Sequence, residues 1–340
     1  MRAMVLHEFS GRLREESLPD PEPDRGEAVI RVRACAVDQF DLTIRNGHVP
    51  GTKLPLILGH EVAGEVAAVG DGVGGLSVGE RVASTLYVTC GRCRPCRIGA
   101  ETVCENFLGY LGAQFDGGYA ELMKVPAANL VRISDGISFE EGSVLANAIG
   151  TPYHGIVKRV GVRPGETVLI TGAGGGVGLH AVQLARLAGG RVIGADISKG
   201  KLEAILKMGA ERAVDPTKES LVEAVMDWTG GRGVDAAIEL VGTATLSSTI
   251  ESLAIRGRLA IIGSHTGRSF EADPLYLMRR ELTIMGSRNC SKQDLREVVD
   301  LVEAGRVKPI FSEKFPLTEA NSVLERMAKG QFVGRPVLIP

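Results

Sequence analysis

The sequence has no excess of charge of either sign. Its 39 Lys and Arg residues nearly balance 41 Asp and Glu residues, which leaves a formal net charge of −2 at pH 7. Domains that bind nucleic acid usually carry a strong basic excess. The composition therefore argues against nucleic acid as a partner.

Long apolar runs are also missing. A membrane-spanning helix needs about 18 to 20 consecutive apolar residues, and even the segment PLILGHEVAGEVAAVG contains His60, Glu61 and Glu65. The first residues, MRAMVLHEFSGRLREE, hold an apolar stretch that is too short for the core of a signal peptide. We therefore expect neither a membrane span nor secretion, and a cytoplasmic location fits best.

Length, glycine and clustered cysteine are what the sequence does have. At about 150 residues per domain, a chain of 340 residues predicts about two domains, large enough to fold without disulfides. Its 44 glycines are roughly twice the average share. Four of its six cysteines lie between residues 90 and 104. In a reducing compartment, such a cluster binds metal more often than it forms disulfides.

The chain changes character near Glu140. Before it, short segments of β character such as AVIRVRACAV and HEVAGEVAAVG alternate with Gly, Pro and Asp breaks, which predicts a barrel-like β domain. The long segment EEGSVLANAIGTPYHGIVKRVG has helical apolar spacing and marks the boundary. Strands and helices alternate after it, as in TVLIT, LHAVQLARLAG and RVIGADIS. This alternation predicts a doubly wound parallel sheet, and hence an α/β fold.

A glycine-rich turn joins the first strand of that sheet to its first helix. Because the turn lacks side chains, a phosphate can approach it closely and meet the positive end of the helix. The strict Gly-x-Gly-x-x-Gly pattern is replaced here by Ala173-x-Gly175-x-x-Gly178, and tight packing alone is the alternative explanation. The residues of the turn predicted to bind a cofactor are Gly174, Gly175, Gly176, Val177 and Gly178.

An acidic residue, Asp196, ends the next predicted strand. Its carboxylate can accept hydrogen bonds from ribose hydroxyls and would repel a 2′-phosphate, so it favours NAD(H) over NADP(H). Lys201, on the following helix, could also reach the ribose, although an exposed surface lysine is the alternative.

The cysteine cluster has the spacing Cys-x2-Cys-x2-Cys-x7-Cys, formed by Cys90, Cys93, Cys96 and Cys104. Four thiolates with no open coordination position predict a structural zinc site. An iron–sulfur cluster is the alternative. The isolated Cys35 and Cys290 are predicted to be small buried residues.

Five segments in this order resemble the zinc-containing alcohol dehydrogenases, or medium-chain dehydrogenases/reductases: GHEVAGEVAAVG, the cysteine cluster, DGGYAEL, TGAGGGVG and GADISKGK. The resemblance covers essentially the whole chain. It implies a GroES-like β-barrel catalytic domain at 1–150, with its structural zinc loop at 90–104. It further implies a Rossmann NAD-binding domain at 151–288 and a return of 289–340 to the catalytic domain.

The resemblance places Asp38, His60 and Asn147 where the family holds its catalytic zinc, usually on Cys, His and a third anionic ligand. Asparagine is neutral and a poor zinc ligand. Phe40 stands at the Ser/Thr position that passes on the alcohol proton, and Thr43 at the position of a relay histidine. We therefore expect no working catalytic zinc, and a hydrogen-bonded pair of Asp38 and His60 in its place. A second zinc held by Asp38 and His60 is the alternative.

The resemblance also implies contacts with the cofactor. The residues concerned are Thr151, Val241, Gly242, Gly263, Ser264 and Arg335. Thr151 would pack on the nicotinamide and Arg335 would pair with the pyrophosphate and Glu61, while the others end two strands at the carboxyl edge of the sheet. The alternatives are a helix cap for Thr151 and ordinary turns for the glycines.

Together these features predict an NAD(H)-dependent oxidoreductase with a small-molecule carbonyl, alcohol or enone substrate. Hydride would pass to or from a carbonyl or an activated C=C bond without catalytic zinc. A zinc-dependent alcohol or polyol dehydrogenase using Asp38 and His60 is one alternative, and a non-catalytic NAD(H)-binding relative is another. The resemblance further implies a homodimer or homotetramer that pairs through the strand LTIMGS.

Overall fold

The computed structural model describes residues 1–263 and 269–340. Its contacts divide the chain into two compact units. The first unit is Met1–Asn147, Cys290–Gly305 and Pro309–Pro340, and the second is Ala148–Asn289 and Arg306–Lys308. The sequence-based limits of 150 and 288 fall a few residues from these, but 306–308 joins the second unit. There the side-chain amide of Gln183 donates to the Lys308 carbonyl and accepts from the Lys308 N–H, both at 3.0 Å.

The secondary structure is spread over both units. The strands are β1 (Arg2–Leu6), β2 (Arg14–Ser17), β3 (Glu27–Ala36), β4 (Leu56–Ile57), β5 (Glu61–Val69), β6 (Arg81–Ser84), β7 (Tyr87–Val88), β8 (Gly109–Tyr110), β9 (Leu122–Pro126), β10 (Leu130–Arg132), β11 (Thr167–Thr171), β12 (Arg191–Ala195), β13 (Arg212–Val214), β14 (Val234–Glu239), β15 (Leu253–Ile261), β16 (Thr283–Gly286), β17 (Phe311–Pro316) and β18 (Arg335–Ile339). The α-helices are α1 (Gln39–Arg45), α2 (Arg94–Arg97), α3 (Phe139–Ser143), α4 (Gly150–Tyr153), α5 (Gly176–Leu187), α6 (Lys199–Lys207), α7 (Leu221–Thr229), α8 (Leu246–Glu251), α9 (Pro274–Arg279), α10 (Lys292–Glu303) and α11 (Ala320–Ala328).

Other helical turns are short. Three are 3-10 turns at Glu101–Val103, Ala127–Asn129 and Leu317–Glu319, and two are π-helical segments at Leu145–Ile149 and His154–Val160. The predicted long helix after Glu140 is therefore a succession of α and π segments. Within the described ranges, no helix combines the length and the apolar character needed to cross a bilayer.

The first unit is built on β-sheets, as the sequence predicts. Its largest sheet has the order β10-β6-β5-β3-β18-β17, with β9 also paired to β3. Two smaller sheets have the orders β2-β1-β4 and β7-β8. Strand β3 lies at the centre of the large sheet, where it pairs with β5, β9 and β18, and most of its residues are buried. The GroES-like β-rich domain is confirmed.

Sheet register brings the candidate site residues of the first unit to one place. Ala36, at the end of β3, pairs with Glu61, at the start of β5, and with Val337 near the start of β18. Asp38 follows β3 and Arg335 begins β18. Residues that are far apart in sequence therefore meet at one end of this sheet.

The second unit is a parallel sheet with the order β13-β12-β11-β14-β15-β16. Every pairing between neighbouring strands is parallel. Strand β11 is buried along its whole length, as expected for a central strand covered on both faces. The predicted Rossmann-type doubly wound sheet is confirmed.

Candidate active site

Five charged side chains meet inside the first unit and form what we call the charge cluster: Asp38, Asp41, His60, Glu61 and Arg335. All five are buried. Buried charges are costly unless they are paired and hydrogen-bonded. The contacts within the cluster therefore decide which chemistry it can support.

Asp38 is the member with the most protein donors. It caps α1, where its Oδ1 accepts from the backbone N–H of Phe40 at 2.7 Å and of Asp41 at 3.3 Å. Its Oδ2 accepts from Asn147 Nδ2 at 2.8 Å and from Arg335 Nη2 at 3.1 Å. Burial works against the charged form, but the charges of His60 and Arg335 hold the pKa of Asp38 below its ordinary value. Asp38 is thus a carboxylate whose two oxygens are both engaged by protein.

His60 lies between two carboxylates. Its Nδ1 is 3.0 Å from Asp41 Oδ1 and its Nε2 is 3.5 Å from Asp38 Oδ1. Burial lowers the pKa of His60, but the two carboxylates outweigh it and raise the pKa well above its ordinary value. The Asp38 contact expected from the sequence is present. The shorter contact, to Asp41, was missed.

The glycine before His60 makes this packing possible. Gly59 has φ +99°, and a Cβ there would lie 2.4 Å from the Tyr119 ring and 2.8 Å from Cys35 Sγ. The Tyr119 hydroxyl donates to Asp41 Oδ2 at 3.1 Å. Gly59 therefore lets Tyr119 come close enough to hold Asp41.

Asn147 joins the cluster from the π-helical segment that follows α3. Its Nδ2 lies 2.8 Å from Asp38 Oδ2, 2.9 Å from Glu61 Oε1 and 3.4 Å from His60 Nε2. The amide therefore presents its N–H donors to the acidic side chains. A π-helical segment is a frequent mark of a functional site.

The residues at this position do not fit a catalytic zinc. Possible ligand atoms of Asp38, Asp41 and His60 do lie within 4.8 Å of one another, which is close enough for one ion. Zinc, however, needs lone pairs directed at it. Asn147 directs an N–H group there, and the oxygens of Asp38 already accept four hydrogen bonds. Because these donors already occupy the carboxylate oxygens, the short distances alone do not make this a zinc site.

Glu61 and Arg335 are members of the cluster with an incomplete set of partners, since the buried Nε of Arg335 also has no hydrogen-bond partner among the described residues. The Oε1 of Glu61 is 3.1 Å from Arg335 Nη2, so the Arg335 contact implied by the family resemblance is seen. Among the described residues, the buried Oε2 of Glu61 has no hydrogen-bond partner. Burial raises the pKa of Glu61 to about 7, against the lowering effect of Arg335. A proton on Glu61 would balance the remaining two carboxylates against His60 and Arg335.

An aromatic pocket of about 440 Å³ adjoins the cluster. Its walls are Phe40, Thr43, His48, Val49, Pro50, Phe107, Leu108, Gly109, Tyr110 and Gln114. The ring of Phe40 lies edge-on to His60, with centroids 5.4 Å apart, and 5.1 Å from the ring of Tyr110. Phe40 is therefore in contact with the charge cluster and also lines the pocket.

The four clustered cysteines meet in space. Their Sγ atoms are separated by 3.4 Å (Cys93 and Cys96), 3.5 Å (Cys90 and Cys104), 3.7 Å (Cys93 and Cys104) and 4.0 Å (Cys90 and Cys96). Tetrahedral zinc with Zn–S bonds of about 2.3 Å needs sulfurs about 3.8 Å apart. Backbone N–H groups of Arg92 and Cys93 lower the pKa of Cys90 to about 6, which favours the thiolate. This site fits a metal.

In the second unit, the glycine turn and Asp196 lie together. Asp196 Oδ2 accepts from the Gly174 N–H at 3.0 Å, and Lys201 Nζ is 3.9 Å from Asp196 Oδ1. A Cβ on Gly174 would lie 2.3 Å from the Lys201 Cβ, and a Cβ on Gly178 would lie 2.2 Å from the Gly172 carbonyl oxygen. Gly174 and Gly178 are thus required for packing, and Val177 lies between Gly176 and Gly178 in the first turn of α5.

The remaining predicted cofactor residues lie at strand ends or in a helix of the second unit. Val241 and Gly242 follow β14, and Gly263 follows β15. A Cβ on Gly263 would lie 2.1 Å from the Leu240 carbonyl oxygen. Thr151 is buried within α4. Ser264 lies outside the described residues.

Comparison with known proteins identifies the family. A model of the alcohol dehydrogenase GroES-like domain matches residues 24–135, and a model of the zinc-binding dehydrogenases matches residues 176–304. An acryloyl-coenzyme A reductase of Sulfurisphaera tokodaii is 34% identical over 343 residues and covers 100% of both chains. An alcohol dehydrogenase of Geobacillus stearothermophilus is 36% identical over 343 residues and covers 99% of both chains.

A solved structure gives the same result. The crystal structure of AibC is 38% identical, with a TM-score of 0.95, and the match covers 100% of this chain and 96% of that one. The matched domains, the full-length relatives and this structural likeness agree. The chain therefore belongs to the zinc-type alcohol dehydrogenase family of medium-chain dehydrogenases/reductases, and it is an oxidoreductase.

Proposed function

We propose that the protein uses NADH to reduce a C=C bond conjugated to a carbonyl group, without a catalytic zinc. The observation that carries this proposal is the position of the Asn147 amide, 2.8 Å from Asp38 Oδ2 and 2.9 Å from Glu61 Oε1. These donors occupy carboxylate lone pairs that a metal would need. Alcohol oxidation in this family depends on a metal to acidify the alcohol, whereas conjugate reduction does not.

Conjugate reduction suits a site without a metal because the substrate stabilises its own charge. Hydride adds to the β-carbon, and the electron pair of the C=C bond moves into the carbonyl to give an enolate. A proton then adds to the α-carbon, so NADH and one proton are consumed for each bond reduced. Relatives named acryloyl-coenzyme A reductase support an α,β-unsaturated thioester as the substrate class.

The aromatic pocket is our proposed site for the acyl portion of this substrate. It is lined mainly by apolar side chains, as small-molecule sites usually are. The backbone of Phe40 donates to Asp38, so the charge cluster fixes this wall of the pocket. In this proposal the pocket wall is positioned by Asp38, His60 and Asn147. The charges of Asp38 and His60 also set the electrostatic potential at that wall.

We propose NAD(H) as the cofactor, bound by the glycine turn and Asp196. A side chain on Gly174 or Gly178 would collide with neighbouring atoms, so the turn keeps a bare backbone surface to which phosphate can bind. Asp196 keeps its Oδ1 near Lys201, where the pair can meet ribose hydroxyls. The bound cofactor supplies the hydride. Thr151, Val241, Gly263 and Arg335 remain proposed contacts.

A zinc-dependent alcohol dehydrogenase is the second candidate function. It is favoured by the short distances among Asp38, Asp41 and His60 and by the relatives named alcohol dehydrogenase. The two candidates differ in substrate and in metal content. Each difference is measurable.

The substrate test compares NADH oxidation on short enoyl-CoA thioesters, enones, aldehydes and ketones. We expect turnover on the conjugated C=C substrates, with deuterium from 4-deuterated NADH found on the β-carbon. Phe40→Ala should lower kcat/KM for them about tenfold, because it removes about 1.5 kcal/mol or more of apolar contact. Phe9→Ala, which alters an exposed ring, is the matched control. Turnover confined to aldehydes and ketones would contradict the proposal.

We further propose that Cys90, Cys93, Cys96 and Cys104 hold a structural zinc. The wild-type chain should contain about one zinc, and Cys93→Ser should lose it together with thermal stability, because metal binding contributes to folding. Cys290→Ser is the control, since its hydrogen bond to the Ala146 carbonyl can be kept by a hydroxyl. Elemental analysis that finds about two zinc ions per chain would favour the second candidate. All six cysteines lie in the described residues, and no disulfide joins any of them, which suits our proposal of a cytoplasmic location.

The pKa of Glu61 gives a pH-dependent signature of stability. Its folded value of about 7 lies above the ordinary 4.5, so the folded chain binds this proton more tightly than the unfolded chain. The stability that Glu61 contributes is complete below pH 4.5 and is lost as the pH rises through about 7. Glu61→Gln should remove this decline.

Denaturant unfolding between pH 4.5 and 6.5 isolates this effect. The lowered pKa of Asp38 changes the stability only below about pH 3.8, its ordinary pKa. The raised pKa of His60 changes the stability only above about pH 6.5, its ordinary pKa. Glu65→Gln, on the same strand, should keep the wild-type slope of unfolding free energy against pH. If Glu61→Gln also keeps this slope, Glu61 is ionised throughout this range.

We propose that two copies of the chain pair through β16. This strand is at the edge of the six-stranded sheet, and nearby Leu275 and Met278 are exposed apolar residues. Sedimentation should show a homodimer or a homotetramer. Met285→Lys on β16 should shift the sedimenting species toward monomer, because it places a charge on the proposed pairing strand. Val78→Lys, at an exposed loop of the first unit, should leave the sedimenting species unchanged. A wild-type monomer would contradict the proposal.

A further inference from the structure

Two carboxylate–threonine contacts connect β11 to β14, one at each end. The register pairs Val168 with Ala236 and Ile170 with Ile238, so threonines on β11 lie opposite acids on β14. At the amino ends of the strands, Asp235 Oδ2 accepts from the Thr167 N–H and hydroxyl, both at 2.8 Å.

The contact at the carboxyl ends does more than join the strands. Glu239 Oε1 accepts from the Thr171 hydroxyl at 2.7 Å, as Asp235 does from Thr167. It also accepts from the N–H groups of Val241 at 2.8 Å and Gly242 at 3.0 Å, and from the Thr245 hydroxyl at 2.8 Å. A fully buried carboxylate therefore determines the path of the turn that follows β14.

The other carboxylate oxygen secures the helix after this turn. Glu239 Oε2 accepts from the Thr249 hydroxyl at 2.7 Å, and Thr249 lies in α8. Within the described residues, the two oxygens together accept five hydrogen bonds from protein donors. This number explains how a charged group is tolerated with no exposed surface.

The same contacts reach the glycine turn. Thr171 directly precedes Gly172, and its Oγ1 accepts from the Leu240 N–H at 3.1 Å. Gly172 has φ +61°, and a Cβ there would lie 3.2 Å from Val241 Cγ2. The turn after β11 and the turn after β14 are thus in contact, with Glu239 connecting both.

We propose that Glu239 is a positioning residue for the nucleotide cofactor. Nucleotides bind along the carboxyl edge of parallel sheets, where these two turns lie. Glu239 holds both turns without needing to touch the cofactor. This inference rests on the proposed binding of NAD(H) at this edge.

Asp235 provides a matched control within the same pair of strands. It makes the same kind of threonine contact as Glu239, but at the amino edge of the sheet. A purely structural role of either acid would change the thermal stability and leave the Kd for NADH unchanged. A positioning role makes only Glu239 affect the cofactor.

The experiment is a titration of the full-length chain with NADH, followed by fluorescence, together with thermal unfolding of each variant. Glu239→Ala should raise the Kd for NADH about tenfold, because hydrogen bonds to a charged group that fix both turns are lost. Asp235→Ala should lower thermal stability while changing the Kd by less than about twofold.

A conservative variant tests the geometry. In Glu239→Gln the amide oxygen can still accept from Thr171, Val241, Gly242 and Thr245, and its NH2 can donate to the Thr249 hydroxyl. We therefore expect its Kd to stay within about threefold of wild type. If Glu239→Ala does not fold, Thr245→Val removes one donor from the same oxygen and should raise the Kd in the same direction.

The outcomes separate this inference from the proposed function. Equal effects of Glu239→Ala and Asp235→Ala on the Kd, or a wild-type Kd in Glu239→Ala, would overturn the inference while NADH binding stands. A wild-type chain that does not bind NADH would overturn the proposed function and, with it, this inference.

Discussion

The hydrogen bond of 2.8 Å from the Asn147 amide to the Asp38 carboxylate constrains the whole site of the first unit. Asp38 is buried and needs donors, and Asn147, Arg335 and the first turn of α1 supply them. With these donors in place, both oxygens of the carboxylate already have hydrogen-bond partners. Asp38 instead caps a helix and fixes the position of Phe40 in the wall of the pocket.

Charge balance follows from the same packing. His60 lies between Asp38 and Asp41, while Arg335 bridges Asp38 and Glu61. Three carboxylates face two cations, so the balance depends on a proton at Glu61. The high pKa of this side chain comes mainly from its burial, which outweighs the lowering effect of Arg335.

The sequence was sufficient where the chemistry lies within one short segment. The cysteine spacing and the glycine turn followed by Asp196 both act locally, and their side chains lie together as the spacing predicts. Contacts that span the chain were harder to foresee. Asp41 follows Asp38 closely in sequence, yet its bond to His60 depends on the packing of Tyr119. Glu239 looks like an ordinary acid at the end of an apolar strand, because its donors among the described residues come from a neighbouring strand, a turn and a helix.

We propose that donors from the protein take the place of the catalytic metal in this member of a family of zinc-binding dehydrogenases. Anomalous X-ray diffraction at the zinc absorption edge, on crystals grown with zinc and NADH, tests it most directly. We expect an anomalous peak at the centre of the four cysteine sulfurs and none among Asp38, Asp41 and His60. A second peak at those three side chains, with the Asn147 amide turned away from them, would contradict it.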